Sequence, residues 1–172
     1  MGCDIHAYVE INEFDRWWGV TGNISLGRNY QMFGLLSNGV RGYSGGLEPK
    51  GLPIDVGYQA QADSRIRINK DITEDGYYEG GYCVTLKTAQ DWEKRLGCKI
   101  HYLTDGEPYT VDDPDWHSHT WLTLEELEKA INEYKEITNS QAGIGLYIAV
   151  KDMMKSMQSN GIESRLVIWF DN

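Results

Sequence analysis

The clearest pattern in the chain is a strict alternation at its start. Cys3, Ile5, Ala7, Val9 and Ile11 fall on one side of an extended segment, and Asp4, His6, Tyr8, Glu10 and Asn12 on the other. A period of two predicts a strand with one apolar and one polar face. The end of the chain reads the same way: Leu166, Ile168 and Phe170 share one face, while Arg165, Val167, Trp169 and Asp171 share the other. Between these strands the pattern predicts a turn and a short strand around Trp17 and Trp18, then a helix over 28–36 with Tyr30, Phe33 and Leu35 or Leu36 inward. Further on it predicts a strand over 82–86, a helix opening at Thr88-Ala89-Gln90-Asp91, and a strand over 99–103. Thr123-Leu124-Glu125-Glu126 has the spacing of a capping box, with Leu122 and Leu127 as its hydrophobic staple and Leu124, Leu127 and Ile131 as a buried stripe. A last helix is expected over 141–158, with Leu146, Val150, Met153 and Met157 on one face and Asn160-Gly161 as its stop.

Two stretches resist this reading. Residues 37–57 are rich in glycine and suit either a functional loop or lid or a poorly ordered surface loop; residues 58–81 are polar and show no period. The elements together predict an α+β fold in a single domain over 1–172. Its antiparallel or mixed sheet would include the N- and C-terminal strands and be packed by two or three helices.

Composition narrows the setting. No apolar run approaches the roughly 18 residues that span a bilayer, and the start lacks the basic and apolar regions of a secretory signal. The expectation is a cytoplasmic protein with no membrane partner. Cys3, Cys83 and Cys98 are odd in number and have neither CxxC nor zinc-knuckle spacing, so reduced thiols are expected, with Cys3 a core residue. A formal charge of −10 without a basic cluster argues against a surface for duplex nucleic acid. It leaves room for a small anionic ligand held by a few arginines.

Candidate chemistry sits in two short motifs. Asp4-Ile5-His6 places a carboxylate and an imidazole on one strand face, and His117-Ser118-His119 does the same for two imidazoles if it is extended. If the first and last strands pair antiparallel, Asp171 comes beside Asp4 and His6. Asp4, His6, His117, His119 and Asp171 are then the candidate ligands of a divalent metal, Zn²⁺, Mn²⁺ or Fe²⁺. The plain alternative is that Asp4 and His6 pair with each other or with Arg165, and that the other histidines are surface residues. For an anion the candidates are Arg28, Asn29, Tyr30, Arg41, Tyr43 and Arg65, near the glycine-rich loop, with Trp121 as a stacking surface. No P-loop, GxGxxG or GxSxG spacing is present.

Several blocks carry a resemblance. They are Met1-Gly2-Cys3-Asp4-Ile5-His6, Arg28-Asn29-Tyr30 followed by Phe33, Gly51-Leu52-Pro53-Ile54-Asp55, His117-Ser118-His119-Thr120-Trp121-Leu122-Thr123-Leu124, and Trp169-Phe170-Asp171. With these the chain resembles an uncharacterised family of proteins from bacteriophages and bacterial genomes. The resemblance implies a phage accessory gene or prophage cargo, acting in the host cytoplasm, and it implies no cofactor or catalytic residue. In that setting three functions are open. One is a protein that binds a small phosphorylated ligand, sequestering a host defence signalling nucleotide. Another is a metal-dependent hydrolase of small phosphoesters, and the third is a protein-binding inhibitor module. The charge and the lack of a separate general base favour the first. A homodimer is compatible with the aromatic load.

Overall fold

In a computed structural model, which describes residues 2–171, the chain is α+β and its first and last strands lie side by side in one sheet. In chain order the elements are β1 (Ile5–Glu13), β2 (Arg16–Gly19), α1 (Tyr30–Leu36), α2 (Tyr58–Asp63), β3 (Arg65–Ile68), β4 (Gly76–Tyr78), β5 (Gly81–Val84), α3 (Leu86–Leu96), β6 (Ile100–Tyr102), β7 (Pro108–Asp112), β8 (His117–Leu122), α4 (Leu124–Thr138), α5 (Gly145–Ser159) and β9 (Ser164–Phe170). They pack into two compact units, one built from residues 1–60 and 117–172, the other from residues 61–116.

The first unit holds a fully antiparallel sheet in the order β2-β1-β9-β8. The alternation in β1 and β9 does what a period of two dictates. Cys3, Ile5, Ala7 and Val9 line up with Leu166, Ile168 and Phe170 on one face, where Met32, Phe33 and Leu36 of α1, Leu127 and Ile131 of α4, and Tyr147 and Met154 of α5 close the core. The opposite face is more than a polar surface. Tyr8, Glu10, Arg165, Val167 and Trp169 are all buried there.

Local signals set the helix ends. The Asn29 side chain accepts the Met32 amide at 3.1 Å to start α1. At α4 the capping box closes in both directions: Thr123 Oγ1 accepts the Glu126 amide at 3.3 Å, and Glu126 Oε2 accepts the Thr123 amide at 2.9 Å. The last helix begins later than its sequence pattern suggests, and its inward stripe is Tyr147, Val150 and Met154. Leu146, expected inside, is half exposed, because the larger ring of Tyr147 takes the inward position beside it.

The glycine-rich stretch is pinned rather than loose. The Asn38 amide donates to the Leu47 carbonyl at 2.6 Å, and the Leu47 amide to the Leu35 carbonyl at 3.1 Å. Gly46 lies so close to the Gly34 carbonyl that a Cβ would overlap it.

The second unit is a mixed sheet in the order β4-β5-β3-β7-β6, with β3 and β5 parallel. Ile68, Val84, Ile100 and Val111 pack with Ala89 of α3. Here α3 starts earlier than the sequence suggests, at Leu86, because Thr85 supplies the cap by accepting the Thr88 amide. Two of the unit's strands, β3 and β4, lie in the stretch that showed no period. All three cysteines are unpaired and buried. Among the described residues no helix is long and apolar enough to cross a membrane.

Candidate functional site

The antiparallel pairing of β1 and β9 brings Asp171 beside Asp4 and His6. The Asp4 amide donates to Asp171 Oδ1 at 2.8 Å, the Asp171 amide donates to the Asp4 carbonyl at 3.2 Å, and His6 Nε2 lies 3.1 Å from Asp171 Oδ2. The other ring nitrogen of His6 faces the Asn23 side-chain amide at 3.2 Å, a pattern that fits an imidazole protonated on Nε2. Asp4 is gripped from outside by Arg28, whose Nε and Nη2 reach its two carboxylate oxygens at 2.6 and 2.7 Å. That bidentate hydrogen bond holds the Asp4 carboxyl below the usual carboxylate range.

A cavity of about 210 Å³ opens against this cluster, lined by Asp4, His6, Asn23, Ser25 and Asp171 among others. Yet both nitrogens of His6, both carboxylate oxygens of Asp4 and both of Asp171 already have partners. As a chemical arrangement this is a fastener that ties the end of β9 to the start of β1.

The two remaining metal candidates are placed elsewhere, and this corrects the expected convergence. Ser118 takes a left-handed φ of 53°, and the pairing of β8 with β9 shifts register between His117 and Thr120. The bulge reverses the alternation that would have put both imidazoles on one face. His117 stacks on Phe170 at 6.2 Å, on the core side, whereas His119 stacks on Trp169 at 5.9 Å, on the other side. His6 stacks on the same Trp169 at 5.4 Å. Since β1 and β8 flank β9, the indole stands between these two imidazoles. Among the described residues no three His, Cys, Asp or Glu side chains are grouped as a metal site requires.

The anion candidates are also dispersed. Arg28 is committed to Asp4, and Asn29 caps α1. Tyr30 accepts the Cys3 amide at 3.4 Å, Arg41 stacks over the Tyr30 ring at 4.7 Å, and Tyr43 packs against Gly34. Arg65 belongs to the second unit, opposite Asp112 on β7, where burial lowers its pKa. Of the seven residues, Trp121 alone lines the larger cleft.

That cleft, about 550 Å³, lies on the second face of the first unit's sheet. Arg165 forms its floor. The Arg165 guanidinium is 3.8 Å from the Trp17 ring centre and 6.0 Å from that of Trp121, and the Lys50 ammonium sits 3.8 Å from the Trp121 ring. Two indoles and two cations therefore alternate along the cleft.

Arg165 is fixed in place. It is 4% exposed, donates through Nε to Glu10 Oε2 at 2.9 Å, and reaches the Asp55 carboxylate and carbonyl at 2.8 and 3.1 Å. Its hydrogen bond holds the Asp55 carboxyl below the usual range. Glu10, fully buried, also accepts the Gly57 amide at 2.8 Å. The wall over 50–57 is held further by the Lys50 amide on Thr120 Oγ1 at 3.1 Å and the Gly51 amide on the His119 carbonyl at 2.8 Å.

Sequence reasoning reached Trp121 but missed Trp17, Lys50 and Glu10 as site residues, and it placed Arg165 as a partner for Asp4 or His6. The register was the signal that could have found the Glu10–Arg165 pair. Counting back from Ile5 opposite Phe170 puts Arg165 opposite Glu10. Lys50 over Trp121 had no such signal, because a loop and a distant strand bring them together.

No protein-family model, curated protein or solved structure matches the chain.

Proposed function

We propose that the chain is a binding protein for a small phosphorylated ligand with a planar ring, of the nucleotide class, taken into the cleft beside Trp17 and Trp121. One observation carries the reading: a cleft of about 550 Å³ in which each of two indoles is faced by a cation. That volume lies within the range usual for small-molecule sites, about 300–1,000 Å³. Indoles offer stacking surfaces to any base, and neighbouring cations favour phosphate. The reading asks the cleft for affinity and assigns it no turnover. The resemblance to phage and bacterial proteins suggests how such affinity is used, namely to sequester a host signalling nucleotide.

A thermal-shift panel of mononucleotides, dinucleotides, cyclic dinucleotides and unphosphorylated nucleosides tests the proposal. A ligand at 100 times its Kd stabilises by about 2.7 kcal/mol, which for a chain of this size is a rise of roughly 5–10 °C in Tm. The rise should shrink in Trp121→Ala. No rise with any phosphorylated compound, or a rise that Trp121→Ala leaves intact, contradicts it. Stoichiometric Zn, Mn or Fe in the purified protein would favour the hydrolase instead.

A further inference from the structure

The geometry points to Lys50 as a displaceable cover and phosphate-recognising residue: the ligand's ring takes its place on Trp121, and the freed ammonium binds the phosphate. This rests on the ligand-binding reading of the same cleft and adds which cation does the recognising.

The two cations of the cleft differ in their freedom. Arg165 is buried and its guanidinium is divided between buried Glu10 and Asp55, so withdrawing it would strand a carboxylate inside the fold. It serves as a fixed floor. Lys50 is held by one ion pair, Nζ to Glu126 Oε2 at 2.7 Å, and by the face of Trp121. Its side chain is 31% exposed, where such pairs are weak.

The surroundings allow the ammonium to leave. The Lys50 backbone stays pinned through its amide on Thr120 and the neighbouring Gly51 amide on His119, so only the flexible stem has to move. Glu126 is not stranded, because its Oε2 still accepts the Thr123 amide in the capping box. Trp121 is uncovered when Lys50 withdraws, and a planar ring can replace one π contact by another. Carboxylates stay near the ligand, since Arg165 is shared between Glu10 and Asp55 and the Glu163 carboxylate meets only the neutral Asn12 amide at 2.8 Å. Lys50, once away from Glu126, is therefore the cleft cation left for a phosphate.

Calorimetric titration of the full-length protein with adenosine 5′-monophosphate and with adenosine tests this. The wild type should prefer the monophosphate by about tenfold, the worth of one charge-assisted hydrogen bond. Lys50→Met, which keeps the stem over Trp121, should abolish the preference by weakening the monophosphate relative to adenosine, and Lys50→Arg should retain it. Glu126→Gln keeps a capping-box residue but loosens the hold on Lys50, so it should tighten monophosphate binding severalfold. An equal loss of both ligands in Lys50→Met, or unchanged monophosphate binding in Glu126→Gln, overturns the role of Lys50 and leaves the cleft reading standing. If the wild type binds neither ligand and no other nucleotide, the cleft reading fails, and the role of Lys50 with it.

Discussion

Replacing Arg165 by methionine should damage the protein more than any surface change, and the reason can be worked out from its partners. Arg165 is 4% exposed and Glu10 is fully buried, with the two joined at 2.9 Å through Nε and 2.8 Å through Nη2. In Arg165→Met the Glu10 carboxylate keeps the Gly57 amide at 2.8 Å, a single neutral donor for a buried charge. Removing one partner of a buried pair costs about 3–5 kcal/mol. For a chain of this length that is a fall of roughly 6–20 °C in Tm. The double variant Glu10→Gln, Arg165→Met removes both charges, and its amide oxygen can still accept from Gly57. It should therefore recover most of the loss, with a coupling of about 2 kcal/mol or more between the two sites. Urea and thermal unfolding of the wild type, both single variants and the double variant give the full cycle. A cost below about 1 kcal/mol for Arg165→Met, or a double variant no better than that single one, refutes the reasoning.

Other consequences follow from the same contacts. Phe14 and Asp15 form the β1–β2 turn with φ of 55° and 58°, and Phe14 is 95% exposed, so it has left-handed strain and little packing in return. Exchanging them for Asn-Gly should stabilise by about 1 kcal/mol and raise Tm by a few degrees. Asp171→Ala takes the acceptor from the Asp4 amide and from His6 and should cost about 1–2 kcal/mol; Asp171→Asn, which keeps an acceptor, should cost less in the same denaturation assay. Asp4 and Asp55 have folded pKa values lowered mainly by hydrogen bonds from Arg28 and Arg165. Their stabilisation is therefore complete above the unfolded carboxylate value, about 3.9, and is lost as pH falls through the folded values. Tm measured from pH 7 down to 3 should drop in the acid range, and less steeply in Asp55→Asn.

How far the chain could be read ahead of its structure depended on the range of the signal. The alternations at residues 3–12 and 165–171 are local, and they were enough to put Asp171 beside Asp4 and His6 once antiparallel pairing was assumed. The capping box at Thr123 is equally local and stands in the structure with both hydrogen bonds. The histidine pair failed at one residue. Ser118 in a left-handed conformation is a bulge that no period announces, and it sends His117 to the core side and His119 to the other. The anion candidates were chosen by type and closeness in sequence, but Arg28 and Asn29 are spent on local ties, and Arg65 sits in a different unit. The cleft was nearly invisible beforehand, since Trp17, Lys50, Trp121 and Arg165 come from four separated stretches.

The most direct measurement for the cleft is calorimetric titration of one nucleotide, adenosine 5′-monophosphate, into wild type and Trp121→Ala. Stacking on an aromatic side chain is worth about 1–3 kcal/mol per base. The wild type should bind at one site per chain, and Trp121→Ala should bind about 5- to 150-fold more weakly. Absence of binding of this and every other nucleotide tried to the wild type, or equal affinity in the two proteins, would contradict the account.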